Sequence, residues 1–89
     1  MVRLEIRGQV VALPRAQVER AQVLALAGAG ASSRRRDLAL VLDWALNSPR
    51  VVSLRRSEAR ELERMASDEP QLAELAAALS APRREARAA

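Results

Sequence analysis

Two five-residue stretches separated by Arg7-Gly8 constrain this chain more than anything else in it. Val2-Arg3-Leu4-Glu5-Ile6 alternates apolar and charged side chains, and Gln9-Val10-Val11-Ala12-Leu13 is again rich in strand formers. With Arg7 and Gly8 as a two-residue turn, Ile6 faces Gln9, Leu4 faces Val11 and Val2 faces Leu13. Five of the six side chains on that face are then apolar, and the other face carries Arg3, Glu5, Val10 and Ala12. A slip of one residue would mix the two faces, so the pattern predicts the register as well as the hairpin.

The rest of the chain reads as helices with one more strand. Pro14 suits the first position of a helix that runs through Arg15 to Ala27 and stops at Gly28 and Gly30. Ser32 or Ser33 caps a second helix reaching Asn47, with Leu38, Val41, Leu42, Ala45 and Leu46 on its inner face and Leu40 and Trp44 together on its flank. That much apolar surface marks it as the central helix. Asn47-Ser48-Pro49 ends it, and Val51-Val52-Ser53-Leu54 is a short strand expected to join the hairpin, because a lone strand leaves its backbone groups unpaired. Ser57 with Glu58 opens a third helix with Ala59, Leu62, Met65 and Ala66 inside. Asp68-Glu69-Pro70-Gln71 is a second start signal, with Asp68 as the cap and Gln71 reaching back to it, followed by the stripe Leu72, Leu75, Ala76 and Leu79. The expected fold is α+β: a small three-stranded sheet, made of the N-terminal hairpin plus one later strand, packed on about four helices in the order ββααβαα. Residues 1–80 are read as a single compact domain and residues 81–89 as a mobile basic tail.

Composition narrows the chemistry. A chain of 89 residues holds one core and leaves a thin stability margin that self-association would help, so a homo-oligomer is expected. It has no Cys and no His, which removes disulfides, thiolate or imidazole metal sites, imidazole bases and serine–histidine triads; no cofactor or metal is expected. Glu58, Glu61 and Asp68 read as solvent-facing helix residues rather than as paired acids, and Gly28-Ala29-Gly30 follows a helix where a phosphate loop would follow a strand. The chain is therefore read as no enzyme. Arg3, Glu5 and Arg7 break the first apolar residues, and the apolar run Val23 to Ala31 is far short of the roughly 20 residues that span a bilayer. The reading is cytoplasmic, with no membrane partner.

Charge is unevenly distributed. Residues 31–56 carry six arginines, Arg34, Arg35, Arg36, Arg50, Arg55 and Arg56, against Asp37 and Asp43, a balance of +4; residues 57–79 carry Arg60 and Arg64 against six acids, a balance of −4. Either the basic segment meets phosphates, or the two segments neutralise each other within the fold. Three cations beside the positive end of the second helix's dipole repel one another, and an anion held by Ser32, Ser33, Arg34, Arg35 and Arg36 would relieve that repulsion. Trp44, the single aromatic residue, is expected to be the largest piece of the core, with an exposed partner anchor beside Leu40 as the other possibility.

Gly8-Gln9-Val10-Val11-Ala12-Leu13-Pro14-Arg15-Ala16-Gln17-Val18-Glu19-Arg20 resembles the opening of the swapped-hairpin antitoxin and transition-state regulators, which bind DNA as dimers. Ala12 is one residue more than that pattern has, and residues 33–47 read as helix where those proteins continue with strands. Arg50-Val51-Val52-Ser53-Leu54-Arg55 followed by two helices resembles a ribbon-helix-helix domain in element order, although Pro70-Gln71-Leu72-Ala73 lacks the start of its second helix. Neither resemblance assigns a family. The functional expectation is a small non-catalytic regulatory protein binding nucleic acid through Ser32, Ser33, Arg34, Arg35, Arg36, Arg50, Arg55 and Arg56. The rival is an adaptor or assembly subunit that meets a protein partner through Leu40, Trp44 and the acidic C-terminal helices.

Overall fold

The computed structural model describes residues 1–80, so the tail expected at 81–89 lies outside the described residues. Strand β1 (Val2–Ile6) pairs antiparallel with β2 (Gln9–Leu13) in the expected register, Val2 opposite Leu13, Leu4 opposite Val11 and Ile6 opposite Gln9. The turn takes positive φ at both central residues, 52° at Arg7 and 80° at Gly8, the mirror-image turn whose twist suits a hairpin. Gly8 adopts that conformation freely, and the Arg7 guanidinium reaches from the turn to Glu63 far along the chain.

The third strand, β3 (Val52–Ser53), is shorter than the sequence suggests. It lies parallel to β1, with Leu4 opposite Val52 and Glu5 opposite Ser53, and the order β2-β1-β3 puts β1 in the centre. Leu54 N–H still donates to the Glu5 carbonyl at 2.9 Å. Val51 is outside the strand and exposed, because Pro49 and Arg50 are still turning the chain.

Helix α1 (Arg15–Ala27) starts after Pro14, which is extended and caps the helix instead of being its first residue; the Gln17 and Val18 N–H groups each donate to the Pro14 carbonyl at 3.1 Å. Helix α2 (Ser33–Asn47) is capped by Ser32, whose hydroxyl accepts from the Arg35 N–H at 3.3 Å. Its buried face is the expected one, with Ala39 added, and it touches α1, β1, β3 and α3. Helix α3 (Arg56–Asp68) begins one residue before Ser57, and the Arg55 N–H donates to the Glu58 carboxylate at 2.7 Å.

The second start signal forms differently from the expectation. Asp68 is the last residue of α3 and makes no cap. The extended residue is Glu69, forced out of helical geometry by Pro70, and a short 3-10 turn, Pro70–Leu72, leads into α4 (Ala73–Ser80). Leu72, Leu75 and Leu79 are buried as the stripe requires, while Ala76 is partly buried. Among the described residues, one hydrophobic cluster joins the inner sheet face to the four helices, with Leu4, Leu13, Leu38, Leu42, Leu72 and Leu75 fully enclosed. Among the described residues, no helix is long and apolar enough to cross a membrane.

Gln17 is a buried polar residue of α1 that periodicity does not reveal. It is 7% exposed, and its carboxamide sits between α1 and the start of α4. The Gln17 amide donates to the Gln71 carbonyl at 3.0 Å, and its oxygen accepts from the Leu75 N–H at 3.0 Å. Gln71 and Leu75 are four residues apart, so the side chain occupies the place of the helical hydrogen bond that the 3-10 turn interrupts.

Candidate functional site

The acidic segment of the sequence does not present an acidic surface where α3 is concerned. Glu58 and Glu61, expected to face solvent, are 8% and 7% exposed. Glu58 is drawn in to accept the Arg55 N–H at the helix start, where the dipole also favours a carboxylate. Glu61 is drawn in by Arg35, whose guanidinium Nε donates to it at 2.6 Å. Glu63 is half-buried and holds Arg7 through two hydrogen bonds, one of them at 2.9 Å. Those hydrogen bonds and the Glu63 charge raise the pKa of the Arg7 guanidinium above its usual value.

With three of its acids used internally, the outward stripe of α3 is basic. Arg56, Arg60 and Arg64 follow one another at intervals of four residues, opposite the buried Ala59, Leu62, Met65 and Ala66. All three are exposed, and none forms an ion pair with a described residue. The stripe is continued at both ends by surface hollows. Arg56 and Arg60 share one with Arg7, Gly8, Glu5 and Leu54 at the hairpin turn; Arg64 shares another with Arg34, Arg35, Ser32, Gly28 and Glu61 at the start of α2. Beyond Arg64 the exposed Asp68 ends the basic band.

The sequence-selected residues therefore divide among different surroundings. Arg34 and Arg56 lie at the two ends of the α3 stripe. Arg35 is anchored to Glu61, and its chain covers Gly28, where an added Cβ would stand 3.2 Å from the Arg35 Cγ. Ser32 is occupied as the helix cap, and Ser33 and Arg36 are exposed on the first turn of α2. Arg50 is exposed in the loop before β3, its N–H donating to Ser48 Oγ at 3.1 Å. Arg55 and Glu58 face a third hollow together with Asp37, Leu40, Val41, Trp44 and Ser53. Trp44 is not part of the core: it is 64% exposed and Leu40 is 65% exposed. The inner face of α2 is already filled by leucine, valine and alanine, which leaves the indole on the rim.

Arg60 and Arg64 were missed because the sums along the sequence placed them in a negative segment. The available signal was their spacing of four from Arg56 on the side of α3 away from its apolar stripe. Among the described residues there is no group of three or more acids that could hold a metal ion. Comparison with protein-family models, with curated protein sequences and with solved structures finds no match to the chain.

Proposed function

We propose that this protein is a small non-catalytic regulator that grips the phosphate backbone of duplex nucleic acid with the outer stripe of α3. The observation that carries this reading is the internal use of Glu58, Glu61 and Glu63, which leaves Arg56, Arg60 and Arg64 as an exposed row with no ion pair to a described residue. From Arg56 to Arg64 the helix rises about 12 Å. A duplex carries one charge per roughly 1.7 Å of axis, so a row of that length meets several phosphates at once. Trp44, the single aromatic residue, lies in a different hollow from the stripe; there is no stacking platform beside the arginines, which favours a phosphate grip over single-strand recognition.

Arg34, Arg56, Arg60 and Arg64 together give an expected slope of about −3.6 in log affinity against log salt, or about a 150-fold loss between roughly 50 and 200 mM. Fluorescence anisotropy of a labelled mixed-sequence duplex measures it. Absence of binding at about 50 mM salt, where nonspecific contacts are strong, would overturn the proposal.

A further inference from the structure

We infer that the hollow between α2 and the start of α3 is a self-association surface that receives a second copy of this chain. Trp44 and Leu40 stand one helical turn apart on α2, both about two-thirds exposed, beside the more deeply set Val41. Large apolar side chains clustered beside a hollow mark contact surfaces, and tryptophan is the residue most enriched at their energetic centres. The charges around this hollow identify the occupant. Asp37, Arg55 and Glu58 all line it; the Glu58 carboxylate is taken up by the Arg55 N–H at the start of α3, while neither the Asp37 nor the Arg55 side chain forms an ion pair with any described residue.

A twofold axis through the hollow places the same patch on both copies, so residue i of one meets residue j of the other, and the reverse contact follows by symmetry. Asp37 of each copy then meets Arg55 of the other while the two indoles cover one another at the centre. With Glu58 used within the chain, Asp37 and Arg55 make the patch self-complementary in charge, a property that a foreign partner does not require. Covering it also removes the exposed apolar surface of Leu40 and Trp44 from water. Self-association through this surface needs no nucleic acid.

The single tryptophan makes the test direct. Over a concentration series, light scattering is expected to move from one chain mass to two, and Trp44 emission to shift to shorter wavelength in step with it. Trp44→Ala is expected to stay monomeric with unchanged helical circular dichroism, since the residue packs on the rim. Asp37→Arg and Arg55→Asp each place like charges twice across the axis and are expected to weaken association about tenfold or more. Mixing these two variants restores both attractive pairs, so the mixture is expected to associate as the parent does. A chain that stays monomeric with solvent-exposed Trp44 emission throughout, or a dimer indifferent to Trp44→Ala and to the charge exchange, would overturn the inference.

Discussion

Replacing Gln17 by Leu tests whether a side chain stands in for a missing helical hydrogen bond. The substitution keeps the volume and removes both hydrogen bonds, to the Gln71 carbonyl and from the Leu75 N–H. Leu75 is fully buried, so its N–H carries the full cost of an unmet donor, while the carbonyl of the exposed Gln71 carries less; together they cost about 2–4 kcal/mol. The added apolar burial offsets about 1 kcal/mol of this, which leaves a net loss of about 2 kcal/mol. Urea unfolding followed by circular dichroism measures it, and the melting temperature is expected to fall by about 8–16 °C. Gln17→Glu separates the two bonds. Its carboxylate still accepts from Leu75 but faces the Gln71 carbonyl with no proton to donate. Burial and that carbonyl raise the new carboxyl's pKa in the folded state. The variant therefore keeps its stability below the unfolded-state pKa and loses it as pH rises through the folded-state one. A Gln17→Leu variant within about 0.5 kcal/mol of the parent, the range of a neutral surface change, would refute the reasoning. It would mean that Gln71 and Leu75 close the helical bond by themselves.

The two glycines between α1 and α2 should separate sharply. Gly28→Ala pushes on the Arg35 chain at 3.2 Å and is expected to cost about 1 kcal/mol, whereas Gly30, with open space around it, should accept Ala at no cost or with a gain of a few tenths. Urea midpoints that move equally would contradict this. Glu61→Gln is expected to lower stability by about 1–2 kcal/mol, discounted because the Arg35 side chain is 29% exposed. The same substitution frees a cation beside Arg34 and Arg64, so the salt slope of duplex binding should steepen by about 0.9. Weaker binding together with lower stability would exclude that connection.

The sequence showed most clearly what local chemistry decides. Alternation over Val2–Ile6 and Gln9–Leu13 with a two-residue turn allows one register, and the observed pairing is that register. Pro14 and Pro49 bound the first two helices because proline restricts the backbone whatever surrounds it, and Gly28 ends α1 because glycine, with no side chain, holds a helix weakly. What escaped depends on contacts across the fold. Glu61 looks like any exposed helix carboxylate until Arg35, 26 residues earlier, is packed beside it. Asp68 has the composition of a cap, but Pro70 makes Glu69 the extended residue and leaves Asp68 inside α3. Trp44 has the size of a core residue, but the aliphatic residues of α2 fill that space and leave it 64% exposed. For the candidate site, the sum of charges along the chain was misleading, since burial decides which charges reach the surface. The helical spacing of Arg56, Arg60 and Arg64 was the better guide.

Two triple variants of equal charge separate the position of the arginines from their net charge. Arg56, Arg60 and Arg64 replaced together by Ala remove the α3 stripe; Arg3, Arg20 and Arg50 replaced together remove three exposed arginines elsewhere. Salt titrations of duplex binding for both, beside the parent, are the measurement. The stripe variant is expected to lose about 2.7 from the magnitude of the slope, and the control variant much less. Equal slopes for the two variants, or a stripe variant that binds as the parent does, would contradict the claim that α3 carries the contact.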